Sequence, residues 1–488
     1  MNRIVFTLGI IFLLLSNLSA QSKLDKQIKN LVNDPALRYG QVSVCVIDVA
    51  SGKTIASHEG KRSLIPASSL KVVTTATAIG ILGPNFRFKT QLEYDGTIAS
   101  GELSGNLYLK GFGDPSLASD HYDGAMDMKT LLQKITEVVQ KKGIQRIRGS
   151  IVGDASFYPT AVNGRSWLWE DIGNYYAAGA WGLNFHGNRY FLHFQQSSKL
   201  GTSPKIKSIE PAVPNLLLLN ELSSAAKGTG DNAYLYGSPL SYTRFVRGTI
   251  PIGTGKFTIK GAIPDPPFFA AYHLMNTLEN AGIQTEKLAT TQFERTRQGL
   301  SVAKRQVLYT HQSPPLRELV EETNLKSLNL YCESFLRSIG KKAGNEASAE
   351  AGLMAIYDFW KARGLKLEGC FLEDGSGLSV RNAVSSYHLA SIMRKIAKDD
   401  QLFTPIYASL PRAGETGSLK YILKGTAAVK KLRAKSGGMK RVRSYTGYAK
   451  TKSGKLLAFS MIANNFTGKS SHVRSLMAKV MVAMCEEK

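Results

Sequence analysis

Cysteine is scarce in this chain of 488 residues, which has only four: Cys45, Cys332, Cys370 and Cys485. They form no C-x-x-C pair, and the eight histidines are dispersed without an H-E-x-x-H pattern. A disulfide framework or a zinc site would need closer spacing of these residues. The pattern therefore argues against both, and we expect no metal. Cys45, inside the apolar run QVSVCVIDV, is expected to be a small core residue, and a Cys332–Cys370 bridge stays open.

Other signatures of common enzyme classes are also missing. The sequence has no G-x-S-x-G elbow, which argues against an α/β-hydrolase. It has no glycine-rich phosphate loop in the required strand and lysine context, so no nucleotide cofactor is indicated. No repeat of solenoid or propeller period occurs. Beyond the N-terminus no segment reaches the ~18 apolar residues of a membrane-spanning helix.

Acidic residues are few relative to basic ones, with 37 Asp and Glu against 62 Lys and Arg, and the formal net charge is +25. No RNA- or DNA-binding motif accompanies this charge, so nucleic acid is not an expected partner. For an exported protein, the anionic polymers of a bacterial envelope are a natural partner class. A generally basic surface without a specific polymer partner is the favoured alternative.

The first 21 residues, MNRIVFTLGIIFLLLSNLSAQ, have the pattern of a secretory signal peptide. A charged Arg3 precedes a short apolar core, and small residues at Ser19 and Ala20 precede the expected cleavage site. We predict that residues 1–20 are a signal peptide and that the mature protein is exported to the periplasm, soluble or peripherally membrane-associated. A retained N-terminal anchor is the alternative.

The stretch SLIPASSLKVVTTATAIG, residues 63–80, combines a helix signal with two reactive side chains. Pro66 suits a first helical turn, and the apolar residues after it recur at three- and four-residue spacing. Ser68 and Lys71 then lie three residues apart on one helix face. That arrangement is either a solvated helix cap or a nucleophile next to its base.

Two further short motifs decide between these readings. In addition to the S-x-x-K motif of Ser68 and Lys71, the sequence contains an S-x-N motif at 327–329 and a K-S-G motif at 435–437. Each motif also occurs by chance: a second S-x-x-K starts at Ser301 and a second K-S-G spans 452–454. We predict that Ser301 lies on a strand, where Ser and Lys would face opposite sides. The 452–454 segment is predicted to be a hairpin turn.

Longer blocks around these motifs resemble the low-molecular-mass penicillin-binding proteins of the D-Ala-D-Ala carboxypeptidase/endopeptidase type. The resemblance runs from about residue 24 to the C-terminus, and it includes the following blocks: IPASSLK, GNLYLKGFGDPSL, IVGDASFY, DGSGLS, SLPRAGETGSL and AKSGG. The 256 positions between Lys71 and Ser327 match the long insertion typical of this subgroup. Two positions depart from the family pattern: Leu328 replaces the more frequent Asp, and Ser436 replaces Thr.

The resemblance implies an α+β fold. Residues 24–82 and 295–488 would form one discontinuous acyl-serine transferase domain, an antiparallel sheet flanked by helices. Residues 83–165 and 258–294 would form an inserted domain, and 166–257 a nested β-rich domain. The strand-like runs SVCVID and LLAFSMIANN should lie side by side. The amphipathic C-terminal helix should pack on the sheet beside the N-terminal helix.

The resemblance also implies catalytic roles. Ser68 would attack the carbonyl of the penultimate D-Ala and form an acyl-enzyme. Lys71 would be its base if burial and Lys435 lower its pKa. Ser327 would relay a proton to the leaving amine, and Asn329 would bridge Lys71 and the substrate.

The remaining candidate residues would bind substrate. Lys435 and Ser436, followed by Gly437 and Gly438, would hold the terminal carboxylate and complete the oxyanion hole. Ser376 and Gly377, in DGSGLS, would form part of the cleft rim. Asp154 would bind the free ammonium group of a stem peptide, with a turn-capping aspartate as the equal alternative.

We therefore predict an exported serine D-Ala-D-Ala carboxypeptidase, with DD-endopeptidase activity, that acts on peptidoglycan peptides without a cofactor. β-Lactams would be covalent inhibitors. Two alternatives from other classes remain: a binding scaffold for cell-wall peptides that turns over slowly, and a β-lactamase. A class A β-lactamase uses an additional glutamate for deacylation, and the sequence offers no identifiable counterpart.

Overall fold

A computed structural model describes residues 22–122 and 124–488. The predicted signal peptide lies outside these residues. The discontinuous domain predicted to be an acyl-serine transferase is called the catalytic unit below, and the chain between its two parts is called the insertion. The N-terminal part of the catalytic unit has these elements: α1 Lys23–Val32, β1 Gln41–Asp48, β2 Thr54–His58, β3 Ser63–Leu64 and α2 Lys71–Leu82.

The insertion follows with most of the strands. Its first half has these elements: β4 Lys89–Tyr94, β5 Thr97–Ala99, β6 Glu102–Ser104, β7 Leu107–Gly111, α3 Met128–Lys141, β8 Arg146–Ile147, β9 Ile151–Asp154 and α4 Trp169–Ile172. Its second half has these: β10 Arg189–Gln195, β11 Lys205–Glu210, β12 Leu217–Ala225, β13 Asn232–Tyr236, β14 Thr243–Pro251, β15 Lys256–Ala262, α5 Pro266–Asn280, β16 Gln284–Thr285, β17 Thr290–Thr291, α6 Gln292–Arg297 and β18 Gln306–Gln312.

The chain then returns to the catalytic unit through a mainly helical segment. Its elements are α7 Leu316–Lys326, α8 Asn329–Gly344, α9 Ala349–Ala362, β19 Val384–Ser385, α10 Ser386–Ala397, α11 Asp400–Ser409, β20 Leu432–Met439, β21 Val442–Lys450, β22 Leu456–Asn464 and α12 Ser470–Glu486. Within the described part of the chain, no helix combines the length and the apolar character needed to cross a bilayer.

An antiparallel five-stranded sheet, in the order β2-β1-β22-β21-β20, joins the two ends of the chain. Strand β1 pairs along its whole length with β22, so the predicted neighbourhood of SVCVID and LLAFSMIANN is confirmed. Seven of the eight residues of β1 are buried. A strand covered on both faces has a continuous apolar run instead of alternating polar and apolar positions, as β1 does.

Helices cover both faces of this sheet. On one face α12 packs beside α1 and against β21, so the prediction for the C-terminal helix is confirmed. On the other face, α2 lies among α8, α9 and α11. All four cysteines are buried and free, which confirms Cys45 as a core residue and excludes the Cys332–Cys370 bridge. The catalytic unit is thus the predicted sheet flanked by helices.

The insertion forms a second body with a core of its own. It contains a mixed five-stranded sheet, β17-β9-β7-β4-β18, a four-stranded sheet, β16-β8-β6-β5, and two three-stranded sheets, β11-β10-β15 and β12-β14-β13. One hydrophobic cluster runs through all of them, from Leu92 to Leu222, Val246 and Leu278. The inserted and nested parts therefore share one core.

Strand pairing shifts two predicted boundaries of the insertion. Strand β18 pairs antiparallel with β4, so the insertion extends to residue 312 and the boundary at 295 falls too early. Strand β15, 256–262, pairs along its length with β10 of the nested part, so the boundary at 257 falls inside a strand. Both errors arise because the strands that close these sheets are distant in sequence from their partners.

Candidate active site

The predicted nucleophile lies in a short 3-10 helix, Ala67–Leu70, that leads directly into α2. The sequence predicts a regular helix from Pro66, whereas the first turn is tighter. Ala67 has a φ of 45°, a left-handed conformation that is strained for a residue with a side chain. Ser68 follows it, half-buried. The local backbone thus directs the Ser68 hydroxyl toward the space between the sheet and the helices.

Lys71 occupies the first turn of α2 and is completely buried. Its Nζ lies 2.9 Å from Ser68 Oγ, 2.5 Å from Asn329 Oδ1 and 2.6 Å from the Ser376 carbonyl oxygen. A protonated lysine has three N–H donors, and three contacts satisfy all of them. The predicted i, i+3 pair is therefore within hydrogen-bond reach.

The chemistry of those contacts indicates what a neutral Lys71 would do. The Asn329 Oδ1 atom and the Ser376 carbonyl can only accept hydrogen bonds, so each needs an N–H of Lys71. A neutral amine has two N–H bonds and one lone pair. The lone pair then faces Ser68 Oγ, the one partner that can donate a proton. This is the geometry required of a general base.

Burial lowers the pKa of Lys71, because a charged ammonium is disfavoured away from water. The Glu333 and Asp374 carboxylates act in the opposite direction. The charge of Lys435 is predicted to lower the pKa of Lys71, but the repulsion between the two lysines acts on the pKa of Lys435 instead. Its pKa lies well below the usual value, first through burial and then through the charge of Lys71.

A second lysine–serine pair faces the first. Ser327 ends α7 in a left-handed conformation, with a φ of 60°. Lys435, on β20, places its Nζ 3.0 Å from Ser327 Oγ and 2.8 Å from the Ser436 carbonyl oxygen. The S-x-N and K-S-G motifs, 108 residues apart, therefore meet at this pair.

Asn329 begins α8 and connects the catalytic unit with the insertion. Its Nδ2 donates to the Tyr176 carbonyl at 2.7 Å, while its Oδ1 accepts from Lys71. The amide is thus fixed at both ends. Leu328, the departure from the family pattern, is partly buried against the helical core.

Strand β20 runs close to the nucleophile. A Cβ atom on Gly437 would lie 2.6 Å from the Pro66 carbonyl oxygen and 2.8 Å from the Ser69 nitrogen, so only glycine permits this approach. Gly438, the next residue, is exposed. Ser436 Oγ donates to Ser418 Oγ at 2.7 Å. Ser418 lies in the block SLPRAGETGSL, but the sequence analysis did not single it out.

The DGSGLS segment lies beneath the nucleophile and not at the rim of the cleft. Ser376 is fully buried, and its carbonyl accepts from Lys71. Gly377, with a φ of 78°, lies so close that a Cβ would come within 2.1 Å of the Ala67 carbonyl oxygen. The prediction that these two residues form the cleft rim is therefore wrong. They support Lys71 and the strained turn before Ser68.

Asp154 is buried and already engaged. Its carboxylate lies 2.6 Å from Arg305 Nη1 and accepts from the Ser156 backbone N–H at 2.9 Å. Arg305 also stacks on the Tyr108 ring, 3.7 Å from its centroid. This is the turn-capping alternative, strengthened by a buried ion pair. The prediction that Asp154 meets a substrate ammonium group is corrected accordingly.

The two chance motifs lie away from this site. Residues 452–454 form the turn between β21 and β22, as predicted. The strand prediction for Ser301 is wrong, because residues 301–305 have no regular structure and β18 begins at Gln306. Ser301 and Lys304 are both exposed.

Backbone carbonyls that the sequence did not predict also contribute to the site. The carbonyls of Ser376 and Tyr176 orient Lys71 and Asn329. A backbone carbonyl has no residue-type signal, so a motif does not reveal it. Trp167 is buried, and its Nε1 donates to Asp374 at 2.9 Å.

Comparison with known proteins gives a consistent result along the chain. A family model described as the D-Ala-D-Ala carboxypeptidase 3 (S13) family matches residues 24–487. The chain is 27% identical over 463 residues to the D-alanyl-D-alanine carboxypeptidase of Actinomadura sp. (strain R39), covering 92% of this chain and 82% of that relative.

Solved structures share the fold. The crystal structure of penicillin binding protein 4 (dacB) from Haemophilus influenzae has a TM-score of 0.79 and 23% identity, covering 93% of this chain and 97% of that one. The same protein complexed with a novel β-lactam has a TM-score of 0.74 and 22% identity, covering 93% and 98%. Because the family model spans nearly all of the sequence, the chain belongs to the D-Ala-D-Ala carboxypeptidase 3 (S13) family.

Proposed function

We propose that this protein is a serine D-Ala-D-Ala carboxypeptidase that acts through an acyl-enzyme at Ser68. The observation that carries the proposal is the contact set of Lys71. Its Nζ is 2.9 Å from Ser68 Oγ, and its other two partners are acceptors only. Burial lowers the pKa of this lysine and so increases the neutral fraction that can take a proton.

In the acylation step, Ser68 Oγ attacks the carbonyl carbon of the penultimate D-Ala, and Lys71 Nζ takes the hydroxyl proton. The backbone N–H groups of Ser68 and Gly438 would stabilise the resulting oxyanion. Loss of one such donor costs roughly 3 kcal/mol in comparable sites. The C–N bond then breaks, and the leaving amine receives a proton from the Ser327 hydroxyl. Ser327 would recover a proton from Lys435, and Lys435 would receive the proton that Lys71 took from Ser68, so that Lys71 is neutral again after acylation.

Substrate recognition is assigned to the edge of β20. The Lys435 ammonium and the Ser436 hydroxyl would hold the carboxylate of the leaving residue. The Ser436 hydroxyl would turn its hydrogen from Ser418 to the carboxylate and accept a hydrogen bond from Ser418 Oγ in return. Water then attacks the acyl-enzyme, and the neutral Lys71 accepts its proton and returns it to Ser68 Oγ as the acyl bond breaks. Asn329 holds Lys71 throughout, because its amide is fixed by the Tyr176 carbonyl.

The proposal extends to DD-endopeptidase activity. In a cross-link between D-Ala and a side-chain amine, the leaving amine also carries a carboxylate, so the same contacts would serve both reactions. Asp154 has no part in this selection, since Arg305 occupies its carboxylate. We also propose export to the periplasm, supported by the signal-peptide pattern of residues 1–20. Binding of anionic envelope polymers is supported by the net charge of +25.

Labelling with a fluorescent penicillin tests the proposal. We expect a covalent adduct in the wild-type protein and none in Ser68→Ala, with Ser301→Ala as the matched control that labels normally. Incubation with cross-linked and uncross-linked muropeptides, followed by mass spectrometry, then separates the two peptidase activities. D-Ala release with every cross-link intact would remove the endopeptidase part.

The two alternatives predict different results. A binding scaffold would bind muropeptides and give no Ser68-dependent label. A β-lactamase would hydrolyse a chromogenic cephalosporin rapidly and without burst kinetics. We expect instead a burst of one equivalent followed by slow turnover, because the acyl-enzyme would persist.

A further inference from the structure

A groove between the catalytic unit and the insertion has an aromatic floor and a basic rim. It has a volume of about 450 Å³, and it is lined by the following residues: Leu82, Phe86, Arg87, Phe88, Lys89, Phe112, Phe157, Ser338, Lys341 and Lys342. Four of these ten described residues are basic, and none of the ten is acidic. We propose that this groove is a second binding site for peptidoglycan, which recognises carboxylate groups of a strand held away from the nucleophile. The proposal rests on the proposed function.

The floor of the groove consists of aromatic rings that pack on one another. Phe88 is buried and stacks on Phe335 of the helical core, with ring centroids 6.1 Å apart. Phe86 contacts Phe88 edge-to-face at 5.0 Å, and Phe112 contacts Phe157 at 5.2 Å. Rings fixed in this way offer a preformed apolar surface, which binds without an ordering cost. The apolar faces of sugar rings can pack on such a surface.

The basic rim is available to an anion. Lys89, Arg87, Lys341 and Lys342 are all exposed. Arg87 donates to the Ser313 carbonyl, and Lys341 contacts Asn345 oxygens, so neutral acceptors engage both. Lys89 lies over the Phe112 ring, 4.8 Å from its centroid. The rim thus has excess positive charge next to the apolar floor.

A purely structural role accounts for only part of this charge. Lys341 and Lys342 lie in the last turn of α8, where cations complement the helix dipole. Arg87 and Lys89 lie outside any helix, and this explanation does not extend to them. The four basic residues come from a loop, a strand and a helix end, and no carboxylate lines the groove. Binding of an anionic ligand explains this cluster better than helix capping does.

The position of the groove favours a polymer strand as the ligand. Helix α2 begins at Lys71 and ends at Leu82, which lines the groove. Because a helix rises ~1.5 Å per residue, Lys71 and Leu82 lie about 16 Å apart. A linear polymer with regularly placed carboxylates can reach both places at once, which raises the effective concentration of its peptides at Ser68. The concave shape between two bodies suits a strand better than a flat membrane.

The test uses a triple variant, Lys89→Gln/Lys341→Gln/Lys342→Gln, made in a Ser68→Ala background so that the ligand stays intact. A matched control, Lys199→Gln/Lys205→Gln/Lys227→Gln, removes the same charge from exposed positions of the nested part. Co-sedimentation with purified insoluble peptidoglycan measures binding. We expect the groove variant to bind about tenfold more weakly, since three charged contacts are lost, and the control less than about twofold.

Three outcomes would overturn the proposal. Equal losses in both triple variants would mean that net charge alone drives binding. Unchanged wild-type binding after the peptidoglycan carboxylates are amidated would remove carboxylate recognition. If the groove variant no longer bound vesicles containing phosphatidylglycerol but still bound peptidoglycan like wild type, the groove would be a lipid-binding site instead.

Two activity measurements keep this test separate from the proposed function. With Ser68 present, the groove variant should label with penicillin and hydrolyse a soluble acyl-D-Ala-D-Ala peptide as fast as wild type. Its turnover of intact peptidoglycan should fall. If wild type itself fails to label, the proposed function falls, and the co-sedimentation result still decides whether the groove binds peptidoglycan.

Discussion

At the scale of single residues, the proposed mechanism depends on how much of Lys71 is neutral. Its pKa lies below the usual value of 10.5 because the side chain is buried. In the proposed mechanism only the unprotonated amine can take the Ser68 proton, so the second-order rate of penicillin acylation should rise with pH and level off below pH 10.5. The measurement is a set of labelling rates at increasing pH, with Lys304→Gln as a control of unchanged profile. A rate independent of pH would contradict Lys71 as the base.

A second residue-scale prediction concerns Ser418. Ser436 Oγ donates to it at 2.7 Å in the free protein. With substrate bound, the Ser436 hydrogen would turn to the carboxylate and Ser418 Oγ would donate to Ser436 Oγ, which fixes the direction of that hydroxyl. Ser418→Ala should raise KM for carboxylate-terminated peptides roughly three- to tenfold, the effect of about one hydrogen bond, while kcat changes little. Ser418→Thr should restore KM. Equal KM increases for the free acid and its amide would argue against this positioning role.

Glu333 gives a prediction about stability and pH. Burial and the charge of Asp374 raise its pKa to about 7, from a usual value of 4.5. The folded state holds this proton more tightly than the unfolded state does. The contribution of Glu333 to the free energy of unfolding is therefore fully present below pH 4.5 and is lost as pH rises through about 7. Its Oε1 accepts from the Gly375 and Ser376 N–H groups, and a glutamine oxygen can do the same.

Glu333→Gln should therefore remove this pH dependence. We expect the Tm of the wild-type protein to fall more between pH 5 and pH 8 than the Tm of the variant. The corresponding difference in the free energy of unfolding is on the order of 2 kcal/mol. Thermal unfolding at both pH values measures the difference. Parallel pH profiles for the two proteins would show that Glu333 titrates at its usual pKa.

At the scale of elements, the DGSGLS segment and the 3-10 helix before α2 form one packed unit. Gly377→Ala should destabilise the protein by at least about 2 kcal/mol and slow acylation, since its Cβ would meet the Ala67 carbonyl oxygen at 2.1 Å. Gly425→Ala is the matched control, because Gly425 also has a positive φ, 74°, but has open space around it. Similar losses of Tm in both variants would mean that backbone strain, and not this contact, is decisive.

The elements also show which features the sequence could predict. Ser68 and Lys71 follow from local spacing, because a helical turn brings residues three apart together. The burial of β1 follows from its continuous apolar run. The role of the Ser376 carbonyl does not follow, since any residue type has one. Asp154 was misassigned because its partner, Arg305, is 151 residues away, and its block alone does not show that pairing.

At the scale of the whole molecule, the insertion is part of the site's support. The Tyr176 carbonyl fixes Asn329, and Trp167 donates to Asp374, the carboxylate that also accepts from the Gly377 and Ser379 N–H groups. The catalytic motifs come from the catalytic unit alone, so motif analysis treats the insertion as a separate module. The hydrogen bonds instead connect it to the segment that holds Lys71.

Trp167→Phe tests this connection. The change keeps an aromatic ring in a buried position and removes the Nε1 donor, so one Asp374 oxygen loses a buried hydrogen bond. We expect a stability loss of about 1–3 kcal/mol and a several-fold slower penicillin acylation. Trp169→Phe is the matched control, because Trp169 is 54% exposed and should change neither quantity. If Trp167→Phe lowers Tm while the acylation rate of the folded protein stays at the wild-type value, the insertion contributes to folding but does not position the catalytic lysine.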